Sequence, residues 1–112
     1  MKAKLPSAAD IVASDHPEVW KQYAALGAAL SEAGPLRGEV RRLVKLALAI
    51  GLNSEGAVHS HARRGRDEGI SREKMRHVAL LAMTTGGFPA AVRAMTWIDD
   101  IYEKPAGRKR RS

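Results

Sequence analysis

Apolar residues recur along most of this chain at three- and four-residue intervals, the period of one face of an α-helix. In 40–51, Val40, Leu43, Val44, Ala47 and Leu48 keep that spacing, and Leu46, Ala49 and Ile50 fill the other sides of the second half. The pattern predicts a helix whose second half is buried all round. A break follows at Gly51-Leu52-Asn53, and then a narrower stripe of Ser54, Ala57, Val58, His61, Ala62 and Gly65. Glu55, His59, Arg63, Arg66 and Asp67 point away from that stripe.

The same reading divides the rest of the chain. Ser14 or Asp15 can cap a first helix with Pro17 and Glu18 in its first turn. That helix runs to about Ala33, with Val19, Tyr23, Leu26 and Leu30 on one face, until Gly34-Pro35 stops it. The second helix covers about 37–50, and the third runs from a cap at Asn53 or Ser54 to a glycine stop at Gly69. Ser71 caps a fourth helix with Met75, Val78, Ala79, Ala82 and Met83 in its stripe. Gly86-Gly87 and Pro89 interrupt the chain, and a last helix over about 89–103 carries Val92, Met95, Ile98 and Tyr102 before Pro105. No segment alternates with period two, so strands are not expected. The pattern is all-α, with five helices in a single domain over 1–106 and an irregular lead-in over 1–13.

Composition narrows the function. Aromatic residues make up only 4% of the chain, so the core must come from Ala, Leu, Val, Ile and Met, a mixture that suits packed helices. With no cysteine, disulfides, thiol catalysis, thiolate zinc sites and iron–sulfur clusters are ruled out. The longest apolar run, 46–52, is too short to span a bilayer. The first residues lack a signal-peptide core, so a cytoplasmic protein without a membrane partner is expected. Net charge is +7, but the tail 107–112 holds four basic residues, leaving +3 on residues 1–106. A basic, flexible, solvated tail on a mildly basic domain with few stacking aromatics argues against nucleic-acid binding.

His61 is the leading candidate for chemistry. It is either a core histidine bonded to a backbone carbonyl or a general acid or base. The small Ser54, Ala57 and Gly65 on its stripe leave room for a ligand or for another helix. His59 and His61 cannot share a metal, because helical residues two apart point about 200° from each other. His16 and His77 complete no ligand pattern, so no metal is expected. Arg41 and Arg42, with Lys45 a turn later, are either a solvated face partnered by Glu39 or a clamp for a carboxylate. Trp20, Tyr23, Phe88 and Trp97 are expected in core or subunit-interface packing, and Met75, Met83 and Met95 in the core.

The segments Arg41-Arg-Leu-Val-Lys-Leu-Ala-Leu-Ala-Ile-Gly-Leu-Asn53, Glu55-Gly-Ala-Val-His-Ser-His61 and Gly87-Phe-Pro-Ala-Ala91 resemble the carboxymuconolactone decarboxylase family, within the alkylhydroperoxidase D-like superfamily. The likeness runs over about 17–101 and implies a compact, oligomer-forming bundle of five to six helices. The family's signature of two cysteines and a histidine falls on Ser54, Ala57 and His61, so only the histidine is kept. An acidic residue of some redox members falls on Arg42. Dithiol peroxidase chemistry is therefore lost, and the likeness points to the decarboxylase branch, cofactor-free lyases of aromatic-compound degradation. On that likeness His61 and Glu55 are the expected catalytic residues. Arg41, Arg42, Ser54 and Ala57 are expected to bind a small carboxylated lactone or related acid. The expected partner protein is the chain itself, as a trimer or hexamer. The alternative is a helical oligomer of the same family that binds a small molecule or protein without catalysis.

Overall fold

A glycine or proline stands at nearly every helix boundary. The computed structural model describes residues 7–103 and contains α1 (Ser7–Asp15), α2 (Pro17–Glu32), α3 (Gly38–Gly51), α4 (Glu55–Asp67), α5 (Arg72–Leu81), a 3-10 turn (Ala82–Thr84) and α6 (Phe88–Tyr102). Among the described residues no strand forms, and no helix is long and apolar enough to cross a membrane. The tail 107–112 and Pro105 lie outside the described residues.

The helices group into two compact units that divide between Arg37 and Gly38. The first unit holds α1 and α2. Residues 7–13, expected to be irregular, open α1 instead. Ser-Ala-Ala-Asp-Ile-Val-Ala contains no glycine or proline, and Asp10 lies in the first turn, where the helix dipole favours it. Pro17 takes the first position of α2, but the cap residue is His16, without a side-chain bond, not Ser14 or Asp15. No residue of α2 is buried: Val19, Tyr23, Leu26 and Leu30 are all exposed. Trp20 and Tyr23 lie one against the other, with ring centroids 5.8 Å apart.

In the second unit α3 packs on α4, and α6 packs on both α4 and α5. Leu46, Ala49 and Ile50 of α3, Val58 and Ala62 of α4, Met75 and Ala79 of α5, and Ala94 and Ile98 of α6 share one core with Ile70. Trp97 and Met95 pack against that core, Met83 is half-buried, and Phe88 is exposed. The second half of α3 is not buried all round: Ala47 and Leu48 are exposed, as are Val40 and Val44. The helix is apolar on two sides, and Leu46, Ala49 and Ile50 form the side that its neighbours cover.

Two local devices position the functional segment. Asn53 adopts φ 56°, a left-handed conformation that asparagine tolerates, and its side chain accepts from Arg93 Nε at 3.1 Å. Ser54 then caps α4, its Oγ accepting from the Ala57 amide. At the far end Gly69 has φ 91°. Its amide donates to the Arg66 carbonyl and that of Ile70 to the Gly65 carbonyl, the paired bonds of a Schellman turn. Ile70 is buried, which pins the turn and fixes where Glu68, the cap residue, sits.

Candidate functional site around His61

His61 lies on the edge where α4 meets α3. Its Nδ1 is 2.9 Å from Arg42 Nη1. The same guanidinium donates Nε to Glu68 Oε1 at 3.0 Å and Nη2 to Glu68 Oε2 at 2.7 Å, a two-pronged ion pair. Arg42 has no lone pair and stays protonated, so His61 Nδ1 is the acceptor and the ring proton resides on Nε2. Burial, then the charges of Arg42, Lys45 and Arg64, lower the His61 pKa from 6.5 to about 4, with Glu68 opposing them. At neutral pH the ring is an uncharged Nε2–H donor beside several cations. The hydrogen bonds from Arg42 hold the Glu68 carboxyl below its ordinary range.

Gly65 makes this arrangement possible. A Cβ there would overlap Met75 Cε and stand 3.2 Å from Arg42 Cγ. The small-residue stripe thus takes up protein side chains at Gly65, with Met75 and the Arg42 stem filling the space. Ala57 is half-buried against the core, one turn before His61, and Ser54 is engaged as the α4 cap. Glu55 is exposed in the first turn of α4, where a carboxylate favours the helix dipole. Glu39 pairs with Lys74 at 2.7 Å. A cleft of about 270 Å³ beside the ion pair is lined by Arg41, Arg42 and Glu68 among others.

His59 occupies another side of α4, where its Nε2 meets Asp100 Oδ2 of α6 at 3.0 Å. Arg63 and Arg66 share that cleft of about 320 Å³, and Arg66 Nη1 donates to the Ile101 carbonyl. Among the described residues no three His, Asp or Glu side chains converge on a metal-sized site. Sequence reasoning missed Glu68 and Asp100. Glu68 had one available signal: it lies seven residues after His61, two turns along the same helix edge. Asp100, 41 residues from its partner, had none.

A model of the carboxymuconolactone decarboxylase family matches residues 17–100. Neither the curated proteins nor the solved structures contain a match to the chain.

Proposed function

The chain belongs to the carboxymuconolactone decarboxylase family, and from that premise we propose a cofactor-free lyase acting at His61 on a small carboxylated lactone or related acid. One observation carries this reading: an uncharged imidazole donor is held among Arg42, Lys45 and Arg64. Positive charge draws a carboxylate to the edge of α3 and α4. When the bond to the carboxylate carbon breaks, its electron pair passes into the unsaturated lactone. The Nε2–H of His61 donates to the oxygen on which the charge collects, and a solvent proton returns to carbon. Arg42 is engaged with Glu68, and Lys45 and Arg64, whose charges also reach the ring, share the clamping of the carboxylate with it and Arg41. Ala57, one turn before His61, offers a small surface to the ligand, and Ser54 and Glu55 act through the terminus of α4.

The exposed apolar row Val40, Val44 and Leu48 supports self-association, as a trimer or hexamer. The engagement of Arg42 by both oxygens of Glu68 also favours a second reading, a helical oligomer that binds a small acid without turning it over. Carbon dioxide release from a carboxymuconolactone separates the two. Turnover by the wild type, with a loss of about a hundredfold or more in a folded His61→Ala variant, supports the lyase. Binding without release supports the second reading, and equal turnover by both proteins sinks the assignment to His61.

A further inference from the structure

Glu68 is an uncomfortable residue for its position. It is the C-cap of α4, where the helix dipole disfavours a carboxylate, and its side chain is 47% exposed. Both its oxygens are nevertheless taken by Arg42, whose side chain is only 15% exposed. The Schellman turn fixes the cap residue, and the stem of Arg42 crosses α4 at Gly65. With Nε and Nη2 held by Glu68, Nη1 is the atom left to face His61 Nδ1.

We propose that Glu68 is a positioning residue: by holding Arg42 from the far side, it fixes His61 as an uncharged Nε2–H donor and keeps the ring from serving as a base. The inference rests on the reading of His61 as the group that meets the substrate. The chemistry follows from polarity. A carboxylate in place of Arg42 would accept from Nδ1–H and leave Nε2 with its lone pair, ready to take a proton. A guanidinium does the reverse, but only while something orients its fork. Glu68 is the acceptor that does so.

The sign of one shift tests this. Arg42 and Lys45 face His61 from α3, and Arg64 and Glu68 from α4. If Glu68 orients Arg42, Glu68→Gln releases the guanidinium and the His61 pKa rises from about 4 by the share that Arg42 contributes, burial still holding it below 6.5, as it does in Arg42→Met. If Arg42 holds its place unaided, Glu68→Gln only removes a nearby negative charge, and the pKa falls or stays put. The measurement is an NMR titration of the His61 ring in wild type, Glu68→Gln and Arg42→Met. A rise in both variants, with loss of the hydrogen-bonded Nδ1 signal, is the expected result. A rise in Arg42→Met alone overturns the proposal and leaves Glu68 as a surface partner. Should Glu68→Gln lose its fold, Glu68→Asp, one methylene too short to bridge with both oxygens, carries the same prediction. The titration needs no substrate, so absence of lyase turnover by the wild type counts against the proposed reaction without touching this result.

Discussion

The hydroxyl of Tyr102, near the end of α6, donates to the carbonyl of Ile70 in the turn after α4 at 2.7 Å. That bond ties α6 to the same turn that sets the position of Glu68. Tyr102→Phe keeps the ring and removes the donor. It should cost about 1 kcal/mol, read as a lower denaturant midpoint with an unchanged slope.

Gly65→Ala sets two effects against each other. Alanine gains about 1 kcal/mol of helix propensity, but its Cβ meets Met75 Cε and crowds the Arg42 stem. Met75 is fully buried, so its flexible end must repack inside the core, and overpacking of about 1–3 kcal/mol should outweigh the gain. Thermal melts should show a net loss, and Gly65→Ala with Met75→Val should recover part of it.

Acid should destabilise the protein before most carboxylates titrate. The unfolded chain protonates His61 near 6.5 and the folded chain near 4, so the unfolded state binds more protons between those values. Stability therefore falls as pH drops through that window, by well under the ~3.4 kcal/mol of the full shift, because solvent screens the half-buried ring. Glu68, whose pKa is lowered by Arg42, adds loss in the same direction as pH falls through its folded pKa. Unfolding free energy measured from pH 7 to 4 should show this slope, and His61→Gln should flatten it.

Ser54, which the likeness to the family sets at a cysteine position, caps α4. Ser54→Ala should cost about 1 kcal/mol of stability, and Ser54→Asp should restore it. Calorimetry on both variants checks the pair. Recovery by aspartate identifies capping as the role that matters for folding.

Leu48 is 57% exposed in a row with Val40 and Val44. If this row joins copies of the chain, Leu48→Glu should lower the mass seen in sedimentation while helix content is kept. An unchanged oligomer mass would remove α3 from the contact.

The parts of the fold that local chemistry decides were legible in the sequence. Ser54 and Ser71 cap their helices and Gly69 ends α4 because those effects act within a turn. Which face of α3 the core covers was not legible: Val40–Val44–Leu48 and Leu46–Ala49–Ile50 are both apolar rows, and periodicity cannot rank them. α1 escaped because a short Ala-rich segment carries little periodic contrast. At the site, His61 stood out by its stripe, and Arg42 by the family position it occupies. Glu68 stayed hidden because its meaning depends on Arg42, 26 residues away.

The crossing at Gly65 has an evolutionary consequence. Positions 42, 65 and 75 share one small volume, so they cannot drift independently. A related chain that acquires a Cβ at 65 has to repack or shorten the side chain at 75, and one that replaces the arginine at 42 relieves only the lesser of the two contacts. Linked substitution of these three positions, together with the loss or gain of an acid at 68, would mark the lineages in which the imidazole changed from donor to base.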